Sequence, residues 1–269
     1  MRLQEGVTLN HAEKLNAEKS KMRKAAIELS QHQFFRSSSL PNVRFSYRYY
    51  AAQMLAFSTD PQSSDVGYAP LKRKYDAYKH HFPDSAMAKT IKSLTFLQKI
   101  LGARTHVIRS KSDILILHLL ASKLLPTYST HGFEDMIGRF IIDFISRVAR
   151  VSQSANESSK SPYVRYAYHK KYASLRIQEK YNIMASQLLL AIPDIKRKDP
   201  RRSFTDPERL AIYVRADGKC AKCERITDFD EGQVDHIIRH TDGGFTNIKN
   251  GRWVYQLCHH NVIHGGKLH

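Results

Sequence analysis

Three cysteines occur in the chain, and all of them lie in its last 50 residues: Cys220, Cys223 and Cys258. Cys220 and Cys223 form a C-x-x-C pair, whose tight turn lets two thiolates face one ion at about 2.3 Å. Cys258 follows 35 residues later, beside His259 and His260 and shortly before His264. Cys258 plus one histidine would complete a tetrahedral zinc site, with His260 as the expected fourth ligand. No cysteine is then left over. An odd number of cysteines with a C-x-x-C pair argues against a disulfide framework. The expectation is a reduced, cytoplasmic protein with a metal site. So small a segment has little core of its own, so a structural Zn2+ would supply much of its folding free energy.

Charge sets the rest of the chain apart. The formal net charge is +18. Residues 201–269 hold 11 Lys+Arg against 9 Asp+Glu, whereas residues 1–200 hold 32 against 16. The basic excess therefore lies outside the histidine-rich tail. A polyanion is the natural partner, and nucleic acid is the commonest one. The opening "MRLQEGVTLNHAEKLNAEKS" is polar and charged, unlike a secretory signal. The most apolar run, "ILILHLLASKLL", contains His118 and Lys123 and is too short to span a bilayer. No membrane partner is expected.

Residues 1–192 read as a basic helical domain. "NHAEKLNAEKSKMRKAAIELSQHQFF" opens with Asn10 as N-cap and Glu13 three residues on, a capping box. "NVRFSYRYYAAQMLAFS" follows a break at Pro41. "DSAMAKTIKSLTFLQKILGA" should end near Gly102, and "SDILILHLLASKLL" before Pro126. "FEDMIGRFIIDFISRVARV" runs into the loop "SQSANESSKS". "SPYVRYAYHKKYASLRIQEKYNIMASQLLLAI" starts with Ser161 and Pro162 and stops at Pro193. Residues 193–202, "PDIKRKDPRR", read as a charged linker punctuated by prolines. A second domain, residues 203–269, starts with a capping box between Thr205 and Glu208, with Pro207 in the first turn. After Gly218 the pattern changes to short strand-like pieces and turns.

Within that second domain, "VDHIIRHTDGGFTN" sets Asp235 beside His236. On a strand the two side chains point to opposite faces. A carboxylate can hold a hard divalent cation, and an imidazole titrates near neutrality. Phosphodiester hydrolysis needs both: a metal at the phosphate and leaving oxygen, and a base for the attacking water.

The spacing adds to this. Asn250 comes fourteen residues after His236, with Gly243-Gly244 between them. Together with the entry helix, the C-x-x-C knuckle and the final Cys/His/Asn cluster, this resembles the HNH endonuclease family over about residues 203–266. The resemblance implies a mainly α chain: a helical domain followed by a small, zinc-stapled ββα-metal domain. It also implies that His236 is the general base, that Asp235 ligates the catalytic metal, and that Asn250 holds the base in position. Asn261 or His264 would complete the catalytic metal site. That site would take Mg2+ or Mn2+, which suit oxygen and imidazole ligands, and nickel or zinc could also occupy it. The family's zinc site usually closes with a second C-x-x-C. Here the sequence reads Cys258-His259-His260-Asn261. A histidine must stand for the missing thiolate, with His259 the alternative to His260.

The expected substrate is DNA, with RNA a further possibility. Lys196, Arg197, Lys198, Arg201 and Arg202 are the expected phosphate contacts, since they adjoin the site. One site per chain implies nicking unless a homodimer forms. A second, weaker resemblance links "LQEGVTLNHAEKLNA" to the closing segment of the ParB-like domain of GmrSD-type restriction enzymes. It implies a role in restriction or phage defence, with the chain either a truncated relative or a separately encoded half whose partner protein supplies an upstream domain. Those enzymes carry an Asp-Gly-Gln-Gln-Arg motif, which this chain lacks, so nucleotide dependence is not expected.

Overall fold

A computed structural model describes residues 8–60, 65–151, 159–171 and 177–263, with backbone only for residues 169–171 and 260–263. These residues are mainly helical, with twelve α-helices and one two-stranded sheet. The chain divides into two compact units. One comprises Met1–Leu125 and Gly132–Pro193, the other Pro126–His131 and Asp194–His269.

Among the described residues, the regular elements of the first unit are all helical. Asn10 caps α1 (His11–Ala17) as expected: its side chain accepts from Glu13 N at 2.9 Å, and the Glu13 carboxylate accepts from Asn10 N at 2.8 Å. The helix does not continue, because Ser20 is extended and its hydroxyl caps α2 (Lys21–Leu29) by accepting from Arg23 N. A third piece, α3 (Gln33–Ser37), follows. One expected helix is therefore three, since a serine oxygen competes well for helix N–H groups.

Next comes α4 (Ser46–Thr59), in which every residue from 51 to 57 is buried. An unexpected helix, α5 (Tyr68–Ala77), follows; it buries only Leu71 and Tyr75, too few apolar positions to mark it in the sequence. The long α6 (Asp84–Leu101) ends at Gly102, whose φ of 54° suits a glycine. The next helix, α7 (Lys111–Thr127), runs two residues beyond the expected stop and includes Pro126 in its last turn. On α8 (Glu134–Val151), Ile137, Ile141, Phe144 and Val148 form one buried stripe. Gly138 in that stripe meets α6: a Cβ there would lie 2.3 Å from the Ile100 carbonyl oxygen.

The last expected helix is seen as α9 (Pro162–Lys171) and α10 (Ile177–Ala191), with residues 172–176 outside those described. Most of the loop "SQSANESSKS" also lies outside them. At the start of α7 lies a buried polar group. The Lys180 ammonium donates to the Ser112 hydroxyl at 2.7 Å, and the Tyr166 hydroxyl donates to Asp113 Oδ1 at 3.2 Å. Further along α7, His118 is fully buried, and neither ring nitrogen has a well-formed hydrogen bond. No helix among the described residues is long and apolar enough to cross a membrane.

The second unit is built on α11 (Asp206–Arg215), β1 (Gly232–His236), β2 (Gly251–Tyr255) and α12 (Gln256–Ile263). The strands pair antiparallel, Gly232 opposite Tyr255 and His236 opposite Gly251. The Glu208 carboxylate accepts from Thr205 N at 2.8 Å at the start of α11. Trp253, 1% exposed, anchors this unit. Its ring stacks on Phe229 at 5.5 Å and meets Tyr213 edge-on at 4.9 Å, and its Nε1 donates to Thr227 Oγ1 at 2.9 Å. Gly232 is needed here, because a Cβ would sit 2.4 Å from the indole.

Of residues 193–202, expected as a linker, all but Pro193 pack within this unit. Lys198 N donates to Thr127 O at 2.8 Å, Ser129 N to Lys196 O at 2.9 Å, and Tyr128 bridges Arg197. Ser129 Oγ also donates to Thr241 O at 3.0 Å.

Candidate functional site

The Cys220-x-x-Cys223 turn and the first half of α12 bring three sulfurs together. The Sγ atoms of Cys220, Cys223 and Cys258 all lie within 4.8 Å of one another, close enough to hold a metal ion such as zinc. Thiolates at about 2.3 Å on a tetrahedral ion stand roughly 3.8 Å apart, so the cluster fits with small adjustments. Cys220 Sγ accepts from Tyr255 N at 3.2 Å and from Lys222 N at 3.4 Å. Burial pushes this thiol up, but the N–H groups of Tyr255, Cys223 and Lys222 outweigh it and bring Cys220 down to about 7. The neighbouring Cys223 sulfur and burial push Cys258 up to about 11. Sulfurs this close cannot all ionise unless a cation compensates them. The expected fourth ligand, His260, lies on α12 with its side chain outside the described set. His259, the alternative, is not part of the sulfur cluster.

His259 turns to Asp235 instead, its Nε2 4.0 Å from Oδ1. The other carboxylate oxygen, Oδ2, accepts from Arg252 Nη2 at 2.7 Å and Nε at 3.2 Å, and Lys222 Nζ stands 4.0 Å away. Arg252 is the residue opposite Asp235 across the strand pair, so the register makes this contact. Arg252 thus satisfies this carboxylate, and among the described residues the cysteine cluster is the one group of three or more side chains that could hold a metal ion. The side chain of Asn261 and all of His264, the expected partners of Asp235 at a catalytic metal, lie outside the described residues. Nothing in the sequence marks His259 as a neighbour of Asp235.

His236 ends β1, half-buried, with its ring 4.7 Å from Phe204 and 6.1 Å from His240. Burial and then the neighbouring His240 hold its pKa below the ordinary histidine range. The imidazole is thus neutral near pH 7 and free to take a proton. Its Nε2 lies 3.0 Å from Thr246 Oγ1.

Asn250 does not touch this ring. Its Oδ1 accepts from Ile238 N at 2.8 Å, and its Nδ2 donates to Ile238 O at 3.0 Å and Phe245 O at 2.8 Å. It closes the loop between the strands, and Thr246 is the loop residue that reaches the histidine. The two glycines make the loop possible. Gly243 has φ 86°, and a Cβ on Gly244 would lie 1.9 Å from Ile238 O.

Asp235 and His236 border one open cleft of about 780 Å³, together with His240 and His259. Its cations are Arg202, Arg209, Lys222, Arg239 and Arg252, against the single carboxylate of Asp235. Of the five cations expected to contact phosphate, only Arg202 lines it. Arg201 is engaged inside the unit: it binds Glu208 at 3.0 Å and donates to Thr246 O. Arg209, Lys222, Arg239 and Arg252 come from scattered positions that no charge run marks. The chain gives no significant match to a protein-family model, a curated protein or a solved structure.

Proposed function

We propose that the second unit is a metal-dependent endonuclease of the HNH type that hydrolyses DNA phosphodiester bonds, and that it serves in restriction or phage defence. The observation that carries this reading is the end of β1. Consecutive residues Asp235 and His236 border one arginine-lined cleft, on a strand–strand–helix unit with a three-sulfur cluster beside it. In this reading His236 takes the proton from the attacking water. Arg202 and Arg239 are exposed, form no ion pair among the described residues, and position the phosphate backbone. Asn250 keeps the loop closed so that the histidine stays in place. Asp235 with His259, Asn261 or His264 would hold Mg2+ or Mn2+, whose chemistry is Lewis-acid stabilisation of the phosphate and leaving oxygen. Cys220, Cys223, Cys258 and His260 would hold structural zinc.

A second reading, a zinc-stabilised DNA-binding protein without catalysis, is favoured by one observation. Arg252 already satisfies an oxygen of Asp235. Supercoiled plasmid separates the two. Incubated with Mg2+ or Mn2+, the native protein should convert it to nicked or linear form, and a folded, zinc-loaded His236→Ala variant should not. DNA binding by both proteins, with no cleavage by either, would overturn the nuclease reading.

A further inference from the structure

The contact between His236 and Thr246 fixes more than the angle of the ring. Thr246 is 1% exposed, so water does not complete its hydrogen bonds. Its amide donates to Asp199 Oδ2 at 2.8 Å. Its carbonyl accepts from the Arg201 guanidinium. Its hydroxyl has two neighbours, the Arg201 carbonyl oxygen at 2.5 Å and His236 Nε2 at 3.0 Å.

A threonine hydroxyl has one proton to donate and lone pairs to accept with. A main-chain carbonyl can only accept. The single proton is therefore committed to Arg201 O, and towards His236 the oxygen can only accept. We propose that Thr246 is a positioning residue that fixes the tautomer of His236: Nε2 carries the proton and Nδ1 carries the free lone pair. Nδ1 has no hydrogen-bond partner among the described residues.

The chemical consequence rests on the nuclease reading. Water gives a proton to Nδ1 as its oxygen bonds to phosphorus; the bond from phosphorus to the leaving sugar oxygen breaks, that oxygen takes the bonding pair and then a proton from solvent, and the imidazolium keeps its Nε2–H bond to Thr246 unchanged. No ring flip and no proton transfer through Thr246 is needed. The segment 199–201 becomes part of the active centre without touching substrate. Its Asp199 side chain and Arg201 carbonyl hold Thr246, and its Asp199 carbonyl accepts from His240 Nε2 at 2.7 Å.

The tautomer is read directly by the ring-nitrogen chemical shifts of the full-length, zinc-loaded protein labelled with 15N-histidine. The His236 signals are assigned by their loss in His236→Gln. At a pH where the ring is neutral, the native protein should show Nε2 as protonated and Nδ1 as bare. Thr246→Val should shift both nitrogens toward the averaged values of an exchanging ring, and Thr246→Ser should restore the native pattern. Plasmid nicking by Thr246→Val should fall on the order of tenfold to a hundredfold with DNA affinity unchanged, and Thr246→Ser should recover it. A native spectrum with Nδ1 protonated, or a native tautomer retained in folded Thr246→Val, overturns the proposal. The native spectrum alone decides the first point, even if Thr246→Val does not fold. The spectra do not depend on cleavage, so an inactive native protein would count against the nuclease reading and leave the tautomer result standing.

Discussion

The two units solve the same problem, staying folded, by different means. The first buries long stretches of helix on every face. Residues 51–57 of α4 are inaccessible on all sides, and α7 buries residues from Ser112 to Ala121 without a gap. Its stability is spread over many interchangeable contacts. The second has few large buried side chains, chiefly Ile212, Trp253 and Val254, and relies on single ties: three sulfurs, an indole held between two rings, and glycines where no side chain fits. A distributed core tolerates local loss, whereas a set of single ties does not. A unit of the second kind can hold polar groups in fixed directions, which a reaction centre needs.

The sharpest test of this contrast is removal of the zinc proposed for the three sulfurs. Structural zinc contributes on the order of 10 kcal/mol in small domains. A strong chelator, or Cys220→Ser, should abolish the cooperative unfolding of the second unit and leave the helical unit's transition unchanged. Trp253 is the one tryptophan in the chain, so its fluorescence reports the second unit, while far-ultraviolet circular dichroism is dominated by the first. Simultaneous loss of both signals would break the comparison.

Acid should also reach the first unit, through one buried histidine. Burial holds His118 down to about 4, against about 6.5 in an unfolded chain. The folded state excludes a proton that the unfolded state binds. Stability is therefore full above about pH 6.5 and declines by on the order of 3 kcal/mol as the pH falls to about 4. The loss should appear in the helical signal, and His118→Met should flatten it.

The two tight glycines come next in size. Gly232→Ala pushes a methyl group into the fixed Trp253 ring and should destabilise the second unit by about 2–3 kcal/mol in denaturant titrations followed by fluorescence. Gly138→Ala clashes with the Ile100 carbonyl but gains about 1 kcal/mol of helix propensity, so a smaller loss is expected in the first unit. The smallest effect should be that of Asn10→Ala, about 1 kcal/mol from one helix cap, measured by the shift in the circular dichroism midpoint.

The parts that were legible in the sequence are those with local causes. Asn10 with Glu13, Thr205 with Glu208 and the stop at Gly102 each depend on residues within one helical turn. The meeting of Cys220, Cys223 and Cys258 was legible because thiols have few other uses in such a segment. What was hidden joins positions far apart. Thr246 meets His236 across ten residues and Arg201 across 45, and no periodicity announces either contact. Spacing puts Asn250 near the loop after His236 but does not show that its amide bonds Ile238 and Phe245, because spacing shows proximity and not which atom an amide will choose. Similarly, "KRKDPRR" looks like one block of positive charge. Folding engages Arg201 within the unit and leaves Arg202 at the cleft.

The hydrogen bonds between Pro126–His131 and the strand-like stretch 196–198 have a consequence for biosynthesis. The earlier segment leaves the ribosome about 70 residues before its partners. At roughly 5–20 residues per second, that is a wait of several seconds before Lys196 and Lys198 reach it. Nothing in the second unit can be complete until the last part of the chain is made. A fragment that starts at residue 194 would lack the main-chain partners of Lys196 and Lys198 and the hydroxyl that Ser129 offers to Thr241. The second unit can therefore not be excised by cutting the chain once.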